Sequence, residues 1–215
     1  MRIDRTRRLI VCGAMLGLSL PAFGEALLDD LVQAVANDRV DVVEKLLERG
    51  MDPDSVDANG DTLLCIAARS RNARTVRALL AAKAHPDKAN AFGDTPLMLA
   101  SLKGDLDSVR ALQGAGAMIN RPGWTPLIYA ATGGHDDVIE FLLAHGAGIN
   151  AQSPNGTTAL MMAIHEHHPD TARLLMTRGA DIRMRNQDGV TALAWATRGK
   201  EDELAKELRR AGAAD

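Results

Sequence analysis

Apolar and polar positions recur along this chain on a long beat. A six-residue phrase returns as "TLLCIA" at Thr62, "TPLMLA" at Thr95, "TPLIYA" at Thr125, "TALMMA" at Thr158 and "TALAWA" at Thr191, with "DDLVQA" at Asp29 as a looser first copy. The step is 33 residues everywhere except between Thr95 and Thr125, where it is 30. Self-similarity at this period predicts stacked supersecondary units, none of which can bury its apolar face alone. The third residue is Leu in every copy (Leu31, Leu64, Leu97, Leu127, Leu160, Leu193) and the sixth is Ala (Ala34, Ala67, Ala100, Ala130, Ala163, Ala196). The Leu column predicts a continuous apolar strip, and the Ala column predicts close helix approach.

Local signals place a helix on each phrase. Thr, or Asp29 in the first copy, is expected to cap the helix by accepting a free backbone N–H. Pro96 and Pro126 suit the first helical position, where no donor is lost. A second helix follows in each unit, led by Leu46, Leu79, Leu112, Leu142, Leu175 and Leu208. Four residues after each of these stands Gly50, Lys83, Gly116, Gly146, Gly179 or Gly212, the left-handed position that ends a helix. Lys83 breaks the glycine series there, at an expected cost of about 1 kcal/mol.

The first 24 residues follow a different pattern. Arg2, Arg5, Arg7 and Arg8 precede the uncharged run Leu9 to Leu20, and Ala22 and Gly24 offer small residues before a cut at Glu25. This is the layout of a secretory signal peptide. The alternative is an uncleaved anchor, although the run is shorter than the roughly 18 apolar residues a span needs. "TRRLIV" faintly resembles a twin-arginine signal, and Cys12 sits too early, behind Val11, to suit lipidation. Removal of residues 1–24 takes away four Arg and one Asp, a net of +3, and shifts the formal charge from −3 to −6. An acidic surface without a basic stripe disfavours nucleic acid and anionic membranes. Cys65 would then be the single cysteine, leaving no intrachain disulfide. With 3% aromatic residues, Ala and Leu must carry the packing.

Helix, turn, helix, glycine cap, then "DPDSVDANGDT" or "INAQSPNGTT", resembles the ankyrin repeat over about residues 25–215. The resemblance implies an all-α solenoid of about six units (25–57, 58–90, 91–120, 121–153, 154–186, 187–215), with hairpin fingers turning at Gly60, Gly93, Gly123, Gly156 and Gly189. One departure is systematic. The family's His after Thr-Pro-Leu, which bridges backbone groups between units, is Val32, Cys65, Met98, Ile128, Met161 and Ala194 here. This predicts that apolar contact has replaced an inter-unit hydrogen-bond ladder, and that Cys65 is a small core residue. Asp30 and Gln33 at one end, and Glu201 to Glu203, Lys206, Arg209 and Arg210 at the other, read as the wet outer faces that terminal units need.

The missing three residues fall in a finger, where "AQSPNGT" shrinks to "RPGW" at 121–124. A stub and a notch are expected there, either a neutral deletion or a gap that admits a partner and presents Trp124. Gln113 and the following Gly114 predict a soft seam at the same junction.

In the family, concave-face positions fall on the fingers and the inner helices. Carried over residue by residue, they include Asp61, Arg69, Phe92, Asp94, Leu102, Lys103, Trp124, Thr132, Asn155, His165, Glu166, Gln187, Val190 and Arg198. Phe92, Leu102 and Trp124 would form an apolar centre with a polar rim. Tyr129 and Trp195 lie in the column of Ile66, Leu99 and Met162 and are expected in the core. "HEHH" (His165 to His168) lacks the spacing of a zincin motif. It reads as a solvated turn, with a weak zinc or pH-responsive patch as the alternative. No catalytic set is recognisable, so no catalytic residue, cofactor or metal is expected.

The resulting expectation is a monomeric, periplasmic, non-enzymatic scaffold holding a folded protein partner on its concave face. Similar exported bacterial proteins suggest support of a periplasmic enzyme such as a catalase. The alternatives are an immunity protein against a delivered toxin, or a His-rich metal- or stress-responsive factor.

Overall fold

The computed structural model describes residues 20–213, with side chains from residue 26 onward. Residues 1–19, which hold most of the expected signal peptide, lie outside the described residues. The backbone of the first helix runs through the expected cut at Glu25.

Six helix pairs follow one another: α1 (Leu20–Ala36) and α2 (Val40–Glu48), α3 (Leu63–Arg69) and α4 (Ala73–Ala81), α5 (Pro96–Lys103) and α6 (Leu106–Gly114), α7 (Pro126–Gly133) and α8 (Asp136–Ala144), α9 (Ala159–His165) and α10 (Pro169–Thr177), α11 (Ala192–Arg198) and α12 (Asp202–Arg210). Among the described residues the only extended pairings are isolated bridges, Val56 with Thr62 and Arg185 with Thr191. The odd-numbered helices pack in sequence, each on the next, as an inner row.

The two columns read from the sequence form this row. Every Leu from Leu31 to Leu193 and every Ala from Ala34 to Ala196 is at most 2% exposed. Each of the five Thr caps accepts a hydrogen bond from the backbone N–H three residues on, at 3.1–3.3 Å. Asp29 does not cap. It lies inside α1, because no turn glycine precedes it as Gly60 precedes Thr62, and the helix-favouring Ala26, Leu27 and Leu28 carry the helix straight through.

At the position after the motif Leu, apolar contact does replace a polar bridge, with Met98, Ile128 and Met161 buried, and directional bonds between units stand instead at the other end of the inner helices. There the residue that opens an outer helix reaches back to a carbonyl of the preceding unit. Asn72 Nδ2 donates to the carbonyls of Val35 and Ala36 at 2.9 and 3.1 Å. His135 Nε2 meets the Leu102 carbonyl, and His168 Nε2 the Thr132 carbonyl, both at 3.0 Å. The two imidazoles lie over Gly104 and Gly134, where the chain turns with φ +64° and +69°. A Cβ at either glycine would overlap the ring above it, so the small residue and the His form one device. Cys65 keeps a remnant of the family's own bridge, with Sγ 3.6 and 3.8 Å from the carbonyls of Asp94 and Lys88. Burial pushes its thiol pKa up to about 11.

The junction at the shortened finger is continuous. α6 runs unbroken through Gly114, and α5 and α7 share the most extensive contact of any helix pair. The outer helices α6 and α8 touch less than α5 and α7 do, as do α8 with α10 and α10 with α12, and the Arg110 guanidinium lies over the Phe141 ring across this seam at 4.9 Å.

Lys83 occupies the left-handed cap with φ +71°, where the other five units have glycine. Replacement of Lys83 by Gly is expected to raise stability by about 1 kcal/mol in urea unfolding. His135→Ala and His168→Ala should each cost about 1–2 kcal/mol by leaving a carbonyl unpaired. Gly134→Ala should cost more than either, since strain adds to the ring overlap.

Candidate binding face

The finger side of the inner row carries the predicted site. Four fingers share one construction. The residue five positions before the motif Thr closes a tight turn with its backbone N–H, and its side chain accepts from the turn. Asp57, Asn90, Ser153 and Asn186 fill this role, with side-chain bonds of 2.8–3.0 Å to the N–H of Asp61, Asp94, Thr157 and Val190.

These fingers are joined in pairs. Ala91 N–H donates to the Gly60 carbonyl at 3.0 Å, and Asn90 Nδ2 to Asp61 Oδ1 at 2.8 Å. Gln187 N–H donates to the Asn155 carbonyl at 2.9 Å, and its Nε2 to the Pro154 carbonyl at 2.6 Å. The stub at 121–124 has no such turn and no backbone bond to either neighbour, and Gly123 only approaches Pro154. The deletion therefore splits the finger row into two tied pairs with a notch between them.

Trp124 stands at this notch, 38% exposed, with its ring edge-on to Tyr129 at 6.1 Å and 88°. The Tyr129 hydroxyl donates to Asp94 Oδ1 of the preceding unit. Burial, reinforced by that carboxylate, holds the phenol pKa well above its ordinary value, so Tyr129 stays a neutral donor. Phe92, at the tip of the finger before the notch, is 79% exposed and makes no ring contact. Leu102 is half-buried and Lys103 is exposed.

Other predicted residues serve the scaffold as much as the face. Asp94 is committed to Tyr129. Thr132 donates its hydroxyl to the Ile128 carbonyl at 2.9 Å, and its own carbonyl meets His168. Asn155 braces its finger turn by accepting from Ser153 Oγ at 2.5 Å, and Gln187 ties two fingers. His165 Nδ1 lies 2.8 Å from Glu166 Oε1, both exposed.

Tyr129 and Trp195 correct the expectation of core placement. Both are only half-buried, because their rings are longer than the Ile66 and Leu99 side chains that fill the same column. The sequence signal was present: the outsized members of a column must protrude on the side that has room. Trp195 lies 5.0 Å from the His165 ring. His167 and His168 do not join His165, since His167 Nδ1 meets Glu201 Oε1 at 2.9 Å and His168 is spent on the Thr132 carbonyl. Among the described residues no three His, Cys, Asp or Glu side chains converge as a metal site would require, and no helix is long and apolar enough to cross a membrane.

Comparison with known proteins agrees with this geometry. A family model described as ankyrin repeats (3 copies) matches residues 31–122, 71–153, 113–186 and 146–215 in overlapping copies. The crystal structure of the human ASB11 ankyrin repeat domain is similar, with TM-score 0.79, 27% identity, and coverage of 86% of this chain and 84% of that one. Zygote-specific protein 3 of Chlamydomonas reinhardtii is 31% identical over 132 residues, which is 61% of this chain. The chain spans only 27% of the length of that relative.

Tyr129→Phe should cost about 1–2 kcal/mol in thermal unfolding by removing the donor that satisfies Asp94. Trp124→Ala, at a more exposed position, should cost less, and a reversed order would show that the notch is held by the indole.

Proposed function

Because the chain belongs to the ankyrin-repeat family, we propose that it is a non-catalytic scaffold that grips one folded protein partner along its finger side. Domains of this family are interaction modules, and a protein partner follows from the architecture. The observation that carries the reading for this chain is the pair of exposed aromatic rings, Phe92 and Trp124, on the two sides of the notch. Exposed aromatic side chains in an otherwise aromatic-poor protein suit binding hot spots. The tied finger pairs and the Tyr129–Asp94 bond hold this surface in place before a partner arrives, so little ordering entropy is lost on association.

The basic start, apolar run and small residues before Glu25 support export, and we place the mature chain in the periplasm as a monomer. There it would support a periplasmic enzyme, of which a catalase is one example. Binding of a delivered toxin would use the same face, and no observation favours it over the first reading. The His-rich turn is engaged in structural bonds, which leaves the metal-responsive reading without support.

The mature chain and a Phe92→Ala, Trp124→Ala double variant, used side by side as baits in periplasmic extract, test the proposal. The unaltered bait should retain a partner that the variant loses by about tenfold or more. Equal recovery by both baits would refute this interface.

A further inference from the structure

Two arginines occupy the same register on the inner helices, 129 residues apart, and meet different surroundings. Arg69 ends α3 and forms an ion pair with Asp61, the residue at the base of its own finger. Arg198 ends α11, and the equivalent base position is Val190. Arg198 is exposed and forms no hydrogen bond or ion pair with any described residue. One unit carries its own counter-anion, and the other has an apolar residue where that anion would stand.

The surroundings of Arg198 form a receptacle. A hollow of about 340 Å³ is lined by Ile164, His165, His167, Trp195, Arg198 and Gly199. Trp195 and Ile164 provide an apolar wall, and the indole N–H of Trp195 has no hydrogen-bond partner. The two lining imidazoles each engage a carboxylate through Nδ1, His165 that of Glu166 at 2.8 Å and His167 that of Glu201 at 2.9 Å. The small Gly199 lets the His167 ring lie 3.3 Å from where a Cβ would project, so the rim is closed by an imidazole.

We infer that this hollow receives an acidic side chain of the partner protein, with the carboxylate on Arg198 and an adjacent apolar or aromatic residue against Trp195. A planar guanidinium suits a carboxylate through paired N–H donors, and the neighbouring indole face suits a flat or aliphatic group. The inference rests on the scaffold reading for the nature of the ligand, and it adds a second anchor, in the last two units, to the aromatic notch in the middle of the array.

The test uses the folded mature chain and two probes, acetyl-Gly-Glu-Phe-Gly-amide and its Gln counterpart, at millimolar concentration. The two indole N–H resonances of the chain, distinguished by Trp124→Phe, report the site. The Glu peptide should shift the Trp195 resonance, and the Gln peptide should not. Arg198→Ala should weaken the response by roughly tenfold or more. Val190→Asp, which copies the arrangement around Arg69, should weaken it similarly by supplying an internal carboxylate, while Arg69→Ala should leave it unchanged. Circular dichroism melts verify that each variant is folded. No response to the Glu peptide, an equal response to the Gln peptide, or a response indifferent to Arg198→Ala would overturn the assignment. So would an Arg198-dependent response to inorganic phosphate without one to the Glu peptide, which would mark a free-anion site. Because the peptides do not involve Phe92 or Trp124, a negative result here leaves the scaffold reading to stand or fall on its own capture experiment.

Discussion

Everything in this structure depends on one burial, repeated: each inner helix puts a Leu and an Ala, both at most 2% exposed, into the row where those helices pack on one another. Inner helices α3 to α11 are only seven or eight residues long. Helices of that length do not persist alone in water, because nucleation costs more than a few internal hydrogen bonds return. Their stability must come from burial against adjacent units, which is why neither column admits substitution in any of the six copies. Ala brings the backbones close, and Leu fills the space that closeness leaves. The binding surface inherits its rigidity from this row, since each finger is fixed at the start of an inner helix by its Thr cap.

Apolar stacking alone would allow units to slide or rotate, and directional bonds fix the register. In this chain one set of those bonds joins the fingers, and another sits where an inner helix turns into an outer one. The choice of Gly104 and Gly134 in the central units makes room for His135 and His168 to lie flat and reach a carbonyl. The first two and last two units instead place Asp38, Arg71, His167 and Lys200 at the same turn, with positive φ and no ring above of the same kind. The seams on either side of the fourth unit are thus secured by a His, as the first seam is by Asn72. That explains how a finger can lose three residues without interrupting the stack: the deletion lies in a loop, and His135 still fixes the register of this junction from the opposite end of the helices.

Much of this was legible in the sequence. Period, columns, glycine turns and the five Thr caps are local signals or direct repeats, and each falls where the residues place it. What was not legible involved space between units. The bonds at the helix turns link His135 to Leu102 and His168 to Thr132, and the phrase from Thr to Ala contains no trace of such partners. The helix over Asp29 continued because a cap residue stops a helix only when the chain before it is turned away. Tyr129 and Trp195 were assigned to the core by column membership, which predicts direction but not whether a large ring fits. On the face itself, exposure of Phe92 and Trp124 followed from their finger positions, while the commitment of Asp94, Asn155 and Gln187 to internal bonds required the folded arrangement.

Repetition also makes departures informative. In a solenoid, a residue can be compared with its equivalents under nearly the same geometry, so a change in surroundings isolates what that residue lacks. Arg69 and Arg198 give such a comparison. The carboxylate that satisfies Arg69 is placed by the same kind of finger turn that holds Val190 in the equivalent position of the last unit, since Asp57 and Asn186 brace the two turns alike. The difference therefore lies in the side chain and not in the backbone. An unpaired surface guanidinium is inexpensive to maintain, because water solvates it well; what distinguishes Arg198 is that an apolar wall and two imidazoles surround it. Partial enclosure lowers the local dielectric and makes a carboxylate contact there stronger than on an open surface. A partner engaged at the notch by apolar contact would gain orientation from this second, charged point, and two anchors of different chemistry on one rigid row discriminate more sharply than either alone.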